Sequence, residues 1–222
     1  MNKNDHITEE YIEQISTSAP YYLKELERET YLKIGKPHMI TGFTQGRFLS
    51  LLSKLVQPDR ILEIGTFTGY GSLCLAEGLS ENGIIHTLEC SEENVWLAEK
   101  YINSSPFSKK IKIHIGNALT LISQLNETWD IVYIDADKAN NLNYVKAVWD
   151  SVRVGGMVLV DNVFARGAVL KPEAERKPFE NAISYFNQTI SGILPDATVT
   201  ILPIRDGLSL IRKEQLTILP VL

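Results

Sequence analysis

Two stretches of this chain end in carboxylates that a metal ion or a proton transfer could use. Asp130–Asp135 ends in Asp135, with Asp137 and Lys138 just beyond it, and Met157–Asp161 ends in Asp161-Asn162. Both runs have the near-continuous apolar character of buried strands. If the two strands are neighbours, Asp135, Asp161 and Asn162 converge at one sheet edge. Two carboxylates and an amide oxygen form a hard-oxygen set suited to Mg2+, Mn2+ or Ca2+. They do not suit zinc, which prefers thiolate or imidazole ligands. The plainer reading is that each aspartate caps the helix after it, and taken singly either residue fits that job well. Lys138, taken alone, reads as one half of a surface salt bridge.

The other stretch with chemical content is Arg60–Ser72. Ile61, Leu62 and Ile64 form a short buried strand that stops at Gly65, and Gly69 and Gly71 follow before a helix. A strand, a glycine turn and a helix start expose backbone N–H groups at the carboxyl edge of a sheet, where open α/β folds bind nucleotide-like ligands. Glu63 is a carboxylate inside that strand and requires a polar partner. A dinucleotide fingerprint needs a second glycine two residues after the first, but Phe67 stands there. The glycine-lysine signature of a phosphate-cradling loop is missing too. Glu89, at the end of the next strand, could accept both hydroxyls of a ribose, although any acidic residue at a strand end can simply be solvated. Adenosine without a pyrophosphate points to S-adenosylmethionine.

These residues need a frame that brings strand ends together, and the pattern supplies one. Strand candidates are Arg60–Ile64, Ile84–Glu89, Ile111–Ile115, Asp130–Asp135 and Met157–Asp161. Helix candidates between them are Ser72–Leu79, Glu92–Asn103, Leu119–Leu125 and Leu142–Ser151. Strands alternating with single helices predict right-handed crossovers and a mainly parallel sheet. A helix near Phe179–Ile190 and a strand pair, Thr198–Leu202 and Leu208–Arg212, turned at Arg205-Asp206-Gly207, complete an α/β fold. Upstream, Ile7–Ser16 and Tyr21–Ile34 read as surface helices. Thr44–Val56 reads as a helix burying Phe48, Leu49, Leu51, Leu52, Leu55 and Val56.

At this point the chain resembles the cation-dependent class I O-methyltransferases, the family of catechol and caffeoyl-coenzyme A O-methyltransferases and their bacterial relatives. The resemblance runs from about Pro37 to the end. It is carried by Met39-Ile40-Thr41, Gln45-Gly46-Arg47-Phe48-Leu49, Leu62–Tyr70, Ile134-Asp135-Ala136-Asp137-Lys138, Asp161-Asn162 and Asp206-Gly207-Leu208-Ser209-Leu210. It implies a Rossmann-like methyltransferase fold with a seven-stranded, mostly parallel sheet, a C-terminal antiparallel pair and helices on both faces. It also implies one domain over 1–222, with a helical extension at 1–36 and a catalytic core at 37–222.

By the same resemblance, Asp135, Asp161 and Asn162 would bind a divalent cation, with Mg2+ the first expectation, and Lys138 would take the proton from the acceptor hydroxyl. Asp135 would lie near the methionine end of S-adenosylmethionine as well. The other cofactor contacts carried over are Met39, Thr41, Glu63, Gly65, Tyr70, Ser72, Glu89 and Ala118, with Asp137 either at the methionine amine or bracing its turn. Met39 could equally be core. Ser72 departs from the pattern, because the family often has serine where this chain has Gly71.

Composition narrows the rest. A chain of 222 residues with 44% hydrophobic and 22% charged residues is an ordinary globular sequence, and a net charge of −5 argues against indiscriminate nucleic-acid binding. No apolar run approaches the roughly 20 residues that span a bilayer. Cys74 and Cys90 give neither a disulfide framework nor metal spacing, so a cytoplasmic protein with reduced thiols is expected. His6, His38, His86 and His114 lack ligand spacing, and Trp96, Trp129 and Trp149 read as packing residues.

The acceptor is read from the stretch Phe164–Pro178, where Arg166, Lys171, Arg176 and Lys177 outnumber Glu173 and Glu175. Ala165 stands where many plant relatives have a tryptophan that stacks on the acceptor. The first expectation is a small catechol-like or vicinal-diol phenol. The alternatives are a hydroxylated uridine of transfer RNA, for which the basic stretch is suited, and a nicotinamide-binding oxidoreductase or non-catalytic nucleotide-binding module. The family is usually homodimeric, and the apolar tail Leu216–Leu222 could serve such a contact.

Overall fold

The computed structural model describes residues 3–215. The apolar tail considered for a dimer contact, Leu216–Leu222, lies outside them. Helices α1 (Lys3–Ile15), α2 (Tyr21–Lys33) and α3 (Phe43–Val56) lead into β1 (Arg60–Ile64), α4 (Tyr70–Ala76), β2 (Ile84–Glu89), α5 (Val95–Ser104) and β3 (Ile111–Ile115). Then come α6 (Ala118–Ile122), β4 (Trp129–Ile134), α7 (Asn141–Val148), β5 (Val152–Asp161), α8 (Pro178–Ile193), β6 (Ala197–Leu202) and β7 (Leu208–Lys213). The strands form one sheet in the order β3-β2-β1-β4-β5-β7-β6, mostly parallel and closed by the antiparallel pair. The expected α/β fold is therefore present. No helix among the described residues is long and apolar enough to cross a membrane.

Backbone packing separates two compact units: residues up to Asp59 with Thr66–Gly116, and Arg60–Gly65 with residues from Asn117 on. In the second unit β1 pairs in parallel with β4, and β4 with β5. Ile61, Leu62, Ile131, Val132, Val158, Leu159 and Val160 are fully buried, which accounts for the unbroken apolar runs. The strand order reverses between β1 and β4, the kind of switch point at which open parallel sheets bind ligands. Helix α8 starts at Pro178, where a missing N–H is harmless, and the Lys177 N–H donates to Glu180 at 2.7 Å.

In the first unit the sequence expectation for α3 fails. Of the six apolar residues assigned to its buried face only Leu49 is buried, while Leu51 is 59% and Leu55 76% exposed. The helix turns Gln45, Gly46, Ser50 and Ser53 inward instead. Gly46 lets it approach α4 closely, because a Cβ there would stand 2.6 Å from the Tyr70 ring and 2.8 Å from Cys74 Sγ. Ser53 Oγ donates to the Leu75 carbonyl at 2.6 Å. Glu77 receives Arg47 at 2.6 and 3.1 Å, Ser50 Oγ at 2.7 Å and Lys54 Nζ at 2.8 Å. Burial works against ionising Glu77, but these donors overcome it and hold its carboxyl below the ordinary value.

A smaller correction follows. Trp96 is 45% exposed under the Lys33 ammonium, so it is not a packing residue, whereas Trp129 and Trp149 are buried. The basic stretch Phe164–Pro178 holds two short 3-10 segments, Ala165–Leu170 and Glu173–Glu175.

Candidate active site

In the second unit, β1 and β4 run side by side to a common end, where the Asp135 N–H donates to the Ile64 carbonyl at 2.8 Å. Gly65 follows with φ +103°, and a Cβ there would sit 2.2 Å from the Asp135 carbonyl oxygen. Only glycine lets the chain leave β1 this close to β4. Asp135 thus occupies the first position past a buried strand, and Lys138 Nζ returns to its Oδ1 at 2.5 Å.

Asp161 ends β5 and is 2% exposed. The hydroxyl of Tyr133, itself buried on β4, stands 3.4 Å from Asp135 Oδ2 and 3.4 Å from Asp161 Oδ2. The two carboxylates, at the ends of neighbouring strands, therefore flank one phenol. Tyr133 was not among the expected site residues. The signal was its position two residues before Asp135, which puts both side chains on one face of the strand. Asn162 comes next with φ +60°, its N–H donating to Asp161 Oδ1 at 2.7 Å.

The arrangement bears on a metal. Among the described residues no three His, Cys, Asp or Glu side chains are grouped to hold one, so the candidate donors remain two carboxylates and the Asn162 amide. Two carboxylates beside one hydroxyl repel each other unless a cation stands near. Lys138 supplies one positive charge to Asp135, which leaves the pair a net negative site of hard oxygens. The residues fit a divalent cation. Asp137 has other work: Tyr144 Oη donates to one of its oxygens and Asn140 Nδ2 to the other at 2.5 Å, so its carboxylate braces the turn. Ala118 opens α6, directly after the N-cap Asn117, whose side chain accepts the Thr120 N–H at 3.2 Å. Glu63 is 1% exposed and partnered.

In the first unit, the turn after the glycine is held by side chains. Phe67 adopts φ +49°, uncommon for a bulky residue, and its N–H donates to Glu89 Oε2 at 2.8 Å. Glu89 Oε1 accepts the Ser91 N–H at 3.0 Å. Oε1 also accepts the Cys90 thiol at 3.7 Å, so Glu89 fixes the turn and its Oε2 keeps a lone pair for a hydroxyl. Thr66 and Thr87 hydroxyls lie 2.6 Å apart beneath it. Ser72 is fully buried and Thr41 nearly so. The Tyr70 ring, 2% exposed, packs on α3, and burial pushes its phenol pKa up. Met39 closes the short turn Pro37–Met39 at 52% exposure, which rules it out as core.

His86 and His114 stack 5.1 Å apart at 7° on β2 and β3, with ring nitrogens 3.0 Å apart. Cys74 is buried. Arg176, one of four basic residues considered for an anionic acceptor, is committed instead to its own segment. It donates to the Lys171 carbonyl at 2.8 Å, the Val169 carbonyl at 3.0 Å and Ser184 Oγ at 2.7 Å.

The O-methyltransferase family model matches residues 13–214. Caffeoyl-CoA O-methyltransferase from Eucalyptus gunnii is 33% identical over 210 residues, covering 90% of this chain and 83% of that protein. Caffeoyl-CoA O-methyltransferase 2 from Petunia hybrida is 34% identical over 206 residues, covering 87% and 84%. Among solved structures, the Bacillus cereus O-methyltransferase in complex with SAH has a TM-score of 0.86 at 28% identity, covering 94% of this chain and 97% of that one. TomG from Streptomyces achromogenes, in complex with SAM, has a TM-score of 0.87 at 26% identity, covering 97% and 100%. Matched along most of its length by a family model and by curated enzymes above 30% identity, the chain belongs to the O-methyltransferase family, class I enzymes that depend on S-adenosylmethionine.

Proposed function

We propose that this O-methyltransferase methylates one of two adjacent hydroxyls on a small catechol-like phenol, chelated by a divalent cation on Asp135, Asp161 and Asn162. The observation that carries the reading is the pair of carboxylates, from adjacent strand ends, that flank the Tyr133 hydroxyl beside Lys138. A bound Mg2+ or Mn2+ supplies positive charge that favours the ionised acceptor hydroxyl. The protein residues do the rest. Lys138 donates to Asp135 Oδ1 as an ammonium, so before it can take the acceptor's proton it must leave that ion pair and lose one proton to solvent. Tyr133 keeps Asp135 and Asp161 facing a common point. Glu89 holds the Phe67 turn and offers the remaining lone pair of its Oε2 to the ribose of the donor. The acceptor oxygen attacks the sulfonium methyl, the carbon–sulfur bond breaks, and S-adenosylhomocysteine leaves. Holding these atoms in line supplies much of the acceleration.

The test is transfer of labelled methyl from S-adenosylmethionine to catechol, with and without chelator, together with calorimetry of S-adenosylhomocysteine binding. Chelation should abolish transfer and leave binding within about threefold, since the proposed donors belong to the acceptor side. Undiminished transfer after thorough metal stripping would remove the cation from the reaction.

A further inference from the structure

The turn Arg205-Asp206-Gly207 was visible in the sequence, yet nothing in the reaction uses it. In the structure it is fastened to the segment that leaves the Asp161-Asn162 pair. The Val163 N–H donates to the Gly207 carbonyl at 3.1 Å and the Phe164 N–H to the Asp206 carbonyl at 2.9 Å. The Arg166 N–H donates to Asp206 Oδ1 at 2.6 Å. From the other side Asn187 Nδ2 donates to the Val163 carbonyl at 2.7 Å. A Cβ on Gly207 would stand 2.7 Å from the Phe164 ring, so the two segments meet without room for a side chain.

What this fastening holds is strained. Asn162 has φ +60°, Ala165 φ +50° and Arg166 φ +54°, and Gly167 follows at +81°. Left-handed backbone is sterically unfavourable for L-residues, and two in succession persist only when their surroundings dictate it. Val163 and Phe164 are held by the backbone of the 205–207 turn. Arg166 is held by a side chain, the carboxylate of Asp206.

We infer that Asp206 is a positioning residue: by accepting the Arg166 N–H it keeps the 162–166 segment, left-handed at Asn162, Ala165 and Arg166, in the form that aims Asn162 at the cation. It acts through Asn162 and need not touch substrate or cofactor. The inference rests on the cation reading above, and its test keeps the two apart.

The measurement is Mn2+ affinity by loss of the free-ion EPR signal, in the absence of acceptor, with S-adenosylhomocysteine affinity as the control for folding. Asp206→Ala should weaken Mn2+ binding about tenfold and leave S-adenosylhomocysteine affinity within about twofold, because a hydrogen bond to a charged acceptor is lost from a strained segment. Asp206→Asn keeps an oxygen for the same N–H and should stay within about threefold of wild type. Adding Arg166→Gly to Asp206→Ala should recover part of the loss, since glycine adopts the left-handed form without penalty. If Asp206→Ala fails to bind S-adenosylhomocysteine, Asp206→Ser takes its place, its hydroxyl being too short to span to Arg166. Mn2+ affinity unchanged by the alanine or serine variant overturns the inference, as does an asparagine variant that falls as far as alanine. Wild-type protein that binds no Mn2+ sinks the cation reading itself, and this inference with it.

Discussion

The Phe67 turn and the ends of β4 and β5 are built from opposite materials. At the turn, backbone does the work: a left-handed Phe67 N–H, a helix start at Tyr70 and one carboxylate, Glu89, spent on fixing N–H groups. At the strand ends, side chains do it: Asp135, Lys138, Asp161 and Tyr133 face one another within hydrogen-bond reach. Backbone amides suit a ligand whose shape is fixed and whose hydroxyls need aligned partners. Charged side chains suit an event in which charge develops and a proton moves. In the proposed reaction the turn would hold the donor and the strand ends would carry the chemistry.

The sharpest way to break that assignment is to damage the strand ends and ask whether the donor notices. Asp161→Ala should lower methyl transfer about a thousandfold, the scale of losing several kcal/mol of charge stabilisation, while S-adenosylhomocysteine affinity stays within about threefold. Calorimetry beside single-turnover rates checks this. If affinity falls together with rate, the two functions are not separable.

Lys138→Met follows, with an expected loss of about 10²- to 10⁴-fold in kcat and little change in the KM for S-adenosylmethionine. Lys138→Arg should not restore the rate, because a guanidinium cannot give up its proton to serve as a base. An arginine variant with near-normal turnover would make residue 138 a fixed charge rather than a base.

The reciprocal damage is Glu89→Ala. It deprives the Phe67 and Ser91 N–H groups of their acceptor, and hydrogen bonds to a charged group contribute about 1.5–3 kcal/mol. S-adenosylhomocysteine should bind about 10- to 100-fold more weakly, with Mn2+ affinity unchanged. Loss of Mn2+ binding in this variant would erase the distinction between the regions.

The two regions were also legible to different degrees. Gly65 and Asp135 announced themselves, because a buried apolar run that stops at glycine or aspartate leaves few other readings. Tyr133 was hidden because a tyrosine two residues from a strand end looks like core until its hydroxyl is seen between two carboxylates. Glu89 reads from the sequence as a ribose acceptor, but its partners here, N–H groups from residues 67 and 91, depend on backbone angles that no side-chain pattern encodes. Helix α3 was misread for a related reason. Hydrophobic periodicity finds the apolar stripe of a helix, but here the stripe of Leu51 and Leu55 faces outward and the buried face is a polar network around Glu77. Gly46 was the clue, since a glycine in mid-helix marks a close approach of another element.

The smallest expected effect concerns a pair that looks chemical and belongs to neither function. Burial, and then the charge of Lys112, holds the His114 imidazole below its ordinary 6.5. The folded chain therefore takes up this proton later than the unfolded chain as the pH falls. By linkage, stability is full above the unfolded value and declines as pH drops below it toward the lowered folded value. His114→Gln removes that titration, and its amide can still meet His86 Nδ1, the partner 3.0 Å away in the wild type. The variant's Tm should fall less between pH 7 and pH 5 than the wild type's, by on the order of 2 °C. Methyl transfer at pH 7.5 should be unaffected. A change in rate with an unchanged pH profile of Tm would move the stacked histidines from the scaffold into the reaction.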